Sequence, residues 1–248
     1  MSTTAASPGF LAKLKDRQQV ADHTLAFRFE KPPGWTFKAG QFVEIRVPDP
    51  PESDAEGNDR AFSIASAPSE EALMVATRMR DSALKRVLGD LPLESTVKID
   101  GPFGNLTLHN KASRPAVLMA GGIGVTPFRS IVFSAAHEKL PHRIFLFYSN
   151  RRPEDAPFLE EFQALERDNP NFRFVPTMTD LGNSGRPWPG KTGYIDWEMI
   201  AQSLREAALH APIYYIAGPP GMVHAMQRTL QSAGVDTDDI RTEEFAGY

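Results

Sequence analysis

A short apolar run followed by three closely spaced glycines constrains this chain more than any other stretch. Residues 117–120 read Val-Leu-Met-Ala, as in a buried strand, and Gly121, Gly122 and Gly124 interrupt the run. Pro127 then opens an amphipathic stretch, and proline suits a first helical turn because its φ fits and its missing N–H would be unbonded there. The sequence therefore predicts a strand, a tight turn and a helix, which together direct backbone N–H groups toward a phosphate. Such turns also join strands to helices without a ligand, and the spacing is not Gly-x-Gly-x-x-Gly.

The composition excludes several other kinds of site. The 248-residue chain has no cysteine, so it supplies no thiolate for a disulfide, a zinc site or an iron–sulfur cluster. Its six histidines show no metal-ligand spacing, and the net charge of −4 gives no reason to expect nucleic acid. The N-terminus lacks the apolar core of a signal peptide, and no apolar run approaches the ~18 residues of a membrane span. We therefore expect no metal, no nucleic acid, no membrane and a cytoplasmic location.

The hydrophobic pattern of the first 110 residues is that of short strands. Alternation with period two is clearest at residues 24–29 and 41–47, and residues 48–59 form an acidic, proline-rich stretch that predicts an exposed loop. Further strands are expected at 60–66, 73–80 and 96–100, with one short helix at 82–88. Closely spaced short strands predict a small antiparallel β-barrel, so we expect residues 1–110 to form a barrel domain.

From residue 111 onward apolar strands alternate with helical stretches. Strands are expected at 116–120, 143–149, 172–178, 212–217 and 240–245, and helices at 127–138, 157–168, 196–208 and 220–233. This alternation predicts an α/β domain over residues 111–248, with a doubly wound, five-stranded parallel sheet. Ligands of such sheets lie beyond the carboxyl ends of the strands, where the glycine turn falls.

The sequence of residues 60–63, Arg-Ala-Phe-Ser, resembles the Arg-x-Tyr/Phe-Ser signature of the ferredoxin–NADP reductase superfamily, in which a barrel precedes a nucleotide-binding domain. The resemblance implies that Arg60 pairs with the FAD pyrophosphate, that Phe62 lies against the flavin and that Ser63 hydrogen-bonds near flavin N5, with Ala61 between them. A guanidinium suits phosphate, an aromatic face suits a planar ring, and a hydroxyl can donate or accept. Alone, the tetrapeptide also fits a plain strand.

Residues 76–86 resemble the second flavin segment of that superfamily, in which a strand edge bonds the flavin and a helix start holds its phosphates. The resemblance assigns cofactor binding to Thr77, Arg78, Met79, Ser82 and Ala83. Lys85 and Arg86 stand where small hydroxyl residues are commoner, so the individual contacts are open. Residues 101–104, Gly-Pro-Phe-Gly, match the turn that closes the barrel, and a structural turn is the expected role.

Residues 121–127 match the nicotinamide-nucleotide loop of the superfamily at every position. The match assigns nucleotide binding to Gly121, Gly122, Ile123, Gly124, Thr126 and Pro127. Residues 217–222 resemble its Cys-Gly-Pro-x-x-Met segment, with alanine in place of the cysteine, and this resemblance places Gly218, Pro219 and Met222 beside the nicotinamide.

The end of the chain carries two carboxylates and two aromatic rings. Family members often end near an acidic residue and an aromatic ring that covers the flavin, so Phe245 or Tyr248 is expected on the flavin. Glu243 or Glu244 is expected to relay a proton, and with Ser63 and Tyr248 these are the candidate catalytic residues. Phe245 also fits a simple core position.

Together these resemblances imply an FAD-dependent NAD(P)H oxidoreductase. Hydride would pass between the nicotinamide and flavin N5, and onward to a separate acceptor: a ferredoxin, a flavodoxin, an oxygenase or free flavin. One alternative is a flavin reductase that binds flavin loosely as a substrate. Another is a non-catalytic electron-transfer subunit, although such subunits usually carry a cysteine-bound cluster.

The coenzyme preference depends on the end of the second parallel strand. Ser149, Arg151 and Arg152 follow that strand, and no carboxylate occurs before Glu154. A hydroxyl and two guanidiniums suit a 2′-phosphate, so NADPH is expected over NADH. The arginines could instead form a solvated turn or stack on adenine, and Glu154 could bind a ribose.

Overall fold

The computed structural model describes residues 9–245, which form two six-stranded sheets. The first sheet is antiparallel with strand order β4-β3-β6-β1-β2-β5. Its strands are β1 (Phe10–Ala21), β2 (Thr24–Glu30), β3 (Phe42–Arg46), β4 (Asp59–Ser63), β5 (Ala72–Arg78) and β6 (Thr96–Phe103), and helix α1 (Ala83–Asp90) lies between β5 and β6. A bridge from Ile64 to Val75 joins its two outer strands, so the sheet curves into the barrel that the alternation predicts.

The second sheet is parallel throughout, with strand order β10-β9-β8-β7-β11-β12. Its strands are β7 (Ala116–Gly121), β8 (Ile144–Asn150), β9 (Phe172–Met178), β10 (Lys191–Thr192), β11 (Ile213–Gly218) and β12 (Ile240–Glu244). Its helices are α2 (Thr126–His137), α3 (Leu159–Asp168), α4 (Trp197–Glu206) and α5 (Pro220–Ser232). From central β7 the chain moves first to β8 and later to β11 on the opposite side. The turns after β7 and β11 therefore flank the topological switch point, where ligands of such sheets bind.

The fold class expected from the sequence is confirmed, with two differences in detail. The parallel sheet has a sixth strand, β10, whose two exposed residues Lys191 and Thr192 pair with β9 and give no apolar run to detect. Residues 101–103 continue β6 instead of forming a turn, and Phe103 packs on Phe42 with ring centroids 5.6 Å apart. The first sheet ends at Phe103 and the second begins at Ala116, which supports the proposed domain division between residues 110 and 111.

The two sheets share a hydrophobic core. Ala26, Ala65 and Met74 of the barrel are buried in the same cluster as Leu118 and Phe128 of the parallel sheet and its helix. Apolar burial of this kind is the main force holding two packed layers together. The barrel and the parallel sheet are therefore packed directly against each other.

A buried arginine adds a polar connection across this junction. Arg129 of α2, only 5% exposed, donates to both carboxylate oxygens of Glu70 and to the carbonyl of Ala65 in the barrel. It also donates to Glu161 of α3, and its guanidinium lies 4.5 Å from the centre of the Phe133 ring. A buried guanidinium requires such partners, because an unpaired charge there would be strongly unfavourable.

Among the described residues, no helix is both long enough and apolar enough to cross a bilayer.

Candidate functional site

A cavity of about 310 Å³ opens between strands β4 and β5 of the barrel and the parallel sheet. Its walls are formed by Glu56, Arg60, Ala61, Phe62, Ser63, Ala76, Thr77, Arg78, Arg80, Asp81, Ser82, Lys85, Ile123 and Phe245. Most of these residues are those that the sequence assigns to flavin binding. The last two come from the glycine turn and the end of β12, so both sheets contribute to one cavity.

One end of this cavity is rich in cationic groups. Arg60 lies on β4, and half-buried Lys85 lies on the first turn of α1, next to the backbone N–H of Ala83 at the helix start. Burial and the neighbouring Arg80 and Arg60 lower the pKa of Lys85, which shows that positive groups converge here. Guanidinium, ammonium and helix-start N–H groups are the donors that bind phosphate oxygens.

The other end of the cavity combines apolar, aromatic and hydroxyl groups. Thr77 and Ser63 are buried hydroxyl residues, Phe245 is partly buried, and Phe62 is 7% exposed and belongs to the barrel core. A cavity with a cationic end and an apolar end fits FAD, whose diphosphate and flavin ring need these two environments. Phe62 thus packs in the barrel core and also borders the cavity, and its contact with the flavin stays a prediction.

Two polar side chains from different sheets meet at the flavin end. The Ser63 hydroxyl on β4 donates a hydrogen bond to Glu243 Oε1 on β12 at 3.2 Å. Burial raises the pKa of the Glu243 carboxyl, and the hydrogen bond from Ser63 opposes this only in part. A carboxyl with a raised pKa keeps its proton to a higher pH than an exposed carboxyl does. Glu244, one residue on, instead pairs with His224 of α5 at 2.9 Å near the surface.

The glycine turn has the predicted form of a strand, a tight turn and a helix. β7 ends at Gly121, Gly122–Val125 form one turn of 3₁₀ helix, and α2 starts at Thr126 with Pro127 in its first turn. Gly122 has a φ of +51°, a conformation that side chains other than glycine adopt at a cost. The Thr126 hydroxyl donates to the carbonyl of Ile123 at 3.0 Å and so fixes the turn.

The end of β11 packs closely on this turn. A β-carbon on Gly124 would lie 2.6 Å from Gly218 Cα, and one on Gly121 would meet the Met222 sulfur and, at 3.1 Å, Pro219 Cδ. The two segments that the sequence assigns to the nicotinamide therefore touch through their backbones. Their contact depends on glycine at position 124.

A second cavity, of about 420 Å³, lies beside the carboxyl ends of β8 and β9. It is lined by His23, Arg78, Met79, Arg151, Arg152, Asp155, Asp180 and Asn183. Arg152 donates to both oxygens of Asp155, at 2.9 and 2.8 Å, and also contacts Asp22 at 3.3 Å. Arg151 beside it is exposed. Of the two arginines, Arg151 therefore has the more accessible guanidinium.

Comparison with known proteins agrees with this geometry. Residues 118–228 match the family model of the oxidoreductase NAD-binding domain. A ferredoxin–NADP reductase B of Sorangium cellulosum is 27% identical over 246 residues, which cover 95% of this chain and 97% of that protein. The phenol hydroxylase P5 protein of Acinetobacter pittii is 29% identical over 84% of this chain, which spans only 58% of that relative. The chain thus carries an oxidoreductase NAD-binding domain and resembles ferredoxin–NADP reductases.

A solved reductase structure shows the same fold as this chain. The ferredoxin NADP⁺ reductase of Neisseria gonorrhoeae, crystallised with FAD and NADP, superposes with a TM-score of 0.78 at 22% identity, over 96% of this chain and 99% of that one. The expected resemblance, fold, enzyme class and cofactor types, FAD and a pyridine nucleotide, are thus confirmed. The roles of individual residues remain predictions.

Several of these predicted residues lie away from the flavin cavity wall. Met79 packs against the barrel core and lines the second cavity, and Ala83 is buried with its N–H directed at Asp54.

Arg78 lines both cavities and pairs with Asp155 of the parallel sheet at 3.3 Å. Glu154 accepts hydrogen bonds from Ser184 and Gly185, which hold it in a neighbouring loop. Tyr248 lies outside the described residues, whereas Phe245 lines the cavity.

Sequence reasoning missed two residues that contribute to these two cavities. Lys85 lines the flavin cavity, and its departure from the usual family pattern was the available signal. Asp155 holds Arg152 and Arg78 together, and its spacing of three residues from Arg152 could have indicated an ion pair. Arg78, in contrast, has no local signal for a partner 77 residues away.

We expect Gly124→Ala to lower stability and coenzyme affinity together. The new β-carbon would overlap the backbone of Ala217 and Gly218, and overpacking of this kind is unfavourable by about 1–3 kcal/mol. Thermal unfolding and titration with NADPH would measure both effects. Gly221→Ala is the matched control, because a β-carbon there has no atom of the described structure within 4 Å. Equal behaviour of the two variants would contradict the close-packing role.

Proposed function

We propose that this chain transfers hydride from NADPH to bound FAD and passes electrons on to a separate protein acceptor, with a ferredoxin as the first candidate. NAD(P)H–flavin electron transfer is the activity class of the superfamily. The observation that carries the proposal is the shared cavity, in which Ile123 of the glycine turn and Phe245, directly after β12, complete a wall built by barrel residues. A nucleotide held at the turn would thus approach a flavin held on the barrel.

In the proposed mechanism the protein binds, orients and holds a proton. Arg60, Lys85 and the start of α1 would bind the FAD diphosphate, and Phe245 would cover the flavin end of the cavity. Bound FAD supplies a hydride acceptor that can release electrons singly. The Ser63 hydroxyl would hydrogen-bond near flavin N5, and Glu243 behind it would hold a proton that Ser63 can exchange. The closely packed glycine turn and β11 would orient the nicotinamide, because hydride transfer depends on close approach.

The choice of a ferredoxin rests on similarity. One relative, of which the match covers 97%, is named a ferredoxin–NADP reductase. The phenol hydroxylase P5 relative makes an oxygenase the second candidate.

The test is steady-state and anaerobic stopped-flow kinetics of the purified protein reconstituted with FAD. We expect NADPH to bleach the flavin absorbance, and reduced protein to transfer electrons to a ferredoxin. No bleaching by NADPH or NADH with FAD bound would contradict the proposed reaction. Faster transfer to an oxygenase component or to free flavin than to a ferredoxin would reassign the acceptor.

Coenzyme preference is expected to depend on Arg151. Because Arg152 is held by Asp155 and Asp22, the exposed Arg151 is the guanidinium that can reach a 2′-phosphate, with Ser149 nearby in sequence. Arg151→Ala should raise the Michaelis constant for NADPH about 10- to 100-fold, as expected for the loss of a charge-assisted contact, and leave that for NADH nearly unchanged.

Arg152→Ala is the matched comparison for that measurement. It removes an arginine that braces the loop after β8, so we expect similar changes with both coenzymes. An equal loss with NADPH and NADH in Arg151→Ala, or a wild-type preference for NADH, would contradict the assignment of Arg151.

A further inference from the structure

The loop between β3 and β4, residues 47–58, places carboxylates on the cationic end of the flavin cavity; we call it the acidic loop. Asp54 Oδ2 accepts a hydrogen bond from the Ala83 N–H at 2.9 Å, and Asp54 Oδ1 lies 3.5 Å from an Arg60 nitrogen. Glu56 Oε2 accepts from Arg60 at 2.5 Å, and the Glu56 carbonyl accepts from the same guanidinium at 2.7 Å. The two carboxylates thus bind the Arg60 guanidinium and the Ala83 N–H, which are the groups that would bind a diphosphate.

These contacts reproduce the chemistry of phosphate binding. A carboxylate and a phosphate both offer anionic oxygens to a guanidinium fork and to N–H groups at a helix start. The Ala83 N–H is the main reason why the pKa of Asp54 lies below its usual value, so the carboxylate is charged at neutral pH. The charge of Glu56 also acts on the nearby Lys85, where it opposes the lowering of the Lys85 pKa.

The acidic loop is suited to leaving its position. It carries Pro50, Pro51 and Gly57, and Glu56 is 72% exposed even while it binds Arg60. Val47, at the start of the loop, is buried in the barrel core, but residues 51–56 are exposed, so detachment of that part is opposed chiefly by its polar contacts. One further ion pair, from Glu52 to Arg86, ties the loop to α1 outside the cavity wall.

We propose that the acidic loop competes with FAD for the same binding groups. Its Asp54 and Glu56 bind the Ala83 N–H and the Arg60 guanidinium, and both carboxylates are displaced when FAD binds. The proposal rests on the proposed flavin function of this cavity. Competition by the loop would make FAD binding weaker than it would be in the same cavity without the loop, and would favour exchange of the bound flavin. Riboflavin, which has no phosphate, would not compete with the loop.

The test compares FAD and riboflavin binding to flavin-free protein by calorimetry and fluorescence quenching. We expect Asp54→Asn and Glu56→Gln each to tighten FAD binding about three- to tenfold, as the loss of a partly exposed charge contact predicts, and the double variant to tighten it further. Riboflavin affinity should change by less than twofold. The control is Asp49→Asn, which removes the same charge from an exposed position in the same loop.

The outcomes separate competition from simpler effects. Unchanged or weaker FAD binding in both Asp54→Asn and Glu56→Gln would overturn the proposal, and so would equal tightening by Asp49→Asn, which would indicate general charge repulsion. If loss of the Asp54 contact unfolds α1, Glu56→Gln decides, because Glu56 binds Arg60 and not the helix start. Failure of the wild type and every variant to bind either flavin would overturn the flavin site itself, and the competitor with it.

Discussion

Replacing Arg60 with alanine should weaken FAD binding by about 30- to 150-fold. The substitution removes a guanidinium from the cationic end of the flavin cavity, and a charge-assisted, forked contact to phosphate contributes on the order of 2–3 kcal/mol. Arg60→Lys should recover only part of the loss, because an ammonium keeps the charge without the fork. Fluorescence quenching of FAD titrated with flavin-free protein measures the dissociation constants.

Arg46→Ala provides the control for this experiment. Arg46 lies on the neighbouring strand β3, pairs with Asp59 at 2.6 Å and is not part of the cavity wall. Its removal changes the net charge equally, so FAD affinity should stay within about twofold of the wild type. Full FAD occupancy and an unchanged dissociation constant in Arg60→Ala would refute the assignment of Arg60.

Arg60 also links FAD affinity to the acidic loop. The Arg60 guanidinium donates to Glu56, so Arg60→Ala should also abolish the gain expected from Glu56→Gln. The two substitutions would then be strongly non-additive, as residues that share a contact usually are. Additive effects would mean that Glu56 acts on FAD by another route.

The parallel sheet was predictable from the sequence because its signals are local. Three of its strands, β7, β8 and β11, are nearly continuous apolar runs, and each run ends at a glycine or a polar turn that pattern reasoning recognises. The predicted helix 127–138 lies at Thr126–His137, and the predicted strand 172–178 is β9, Phe172–Met178. The two-residue β10 carries no such signal, since backbone pairing to β9 alone defines it.

The composition of the flavin cavity was predictable from motifs, but its electrostatics were not. The motifs name Arg60, Ser63 and Ser82, and all three line the cavity. Nothing local indicates that Asp54 lies on the Ala83 N–H, because that contact joins residues 29 positions apart. The acidic stretch therefore seemed a solvated loop, and only the fold brings its carboxylates onto the phosphate-binding groups.

The same limit applies to the two adjacent glutamates near the chain end. The sequence cannot rank Glu243 and Glu244, because both follow the same strand pattern. Alternation along β12 turns them to opposite faces, so that one reaches Ser63 and the other reaches His224. The structure thus selects Glu243 for the proposed proton-holding role.

Glu243→Gln should lower turnover with a one-electron acceptor about 100-fold while Glu244→Gln stays within about twofold of the wild type. Hydride transfer itself needs no proton from the protein, but a proton must leave when the electrons pass on singly; glutamine can still accept the hydrogen bond from Ser63 but cannot take up that proton, and a positioned acid or base contributes on the order of 10²-fold or more. Wild-type activity should also increase as pH rises through the raised pKa of Glu243, whereas Glu243→Gln should lack this dependence. Equal rates in the two variants, or an unchanged pH profile, would contradict the proton-holding role.

The raised pKa of Glu243 also predicts how the effect of Glu243→Gln on the free energy of unfolding depends on pH. Because the folded protein holds the Glu243 proton more tightly than the unfolded chain, this group favours folding fully below its ordinary pKa of 4.5. That contribution is lost as pH rises through the folded-state pKa, where burial makes the charged form unfavourable. Glu243→Gln has no charge to bury, so its free energy of unfolding relative to the wild type should increase from pH 4.5 toward pH 8. Urea unfolding across this range measures the difference, and a gap that stays constant with pH would show that Glu243 is not the buried acid in the folded protein.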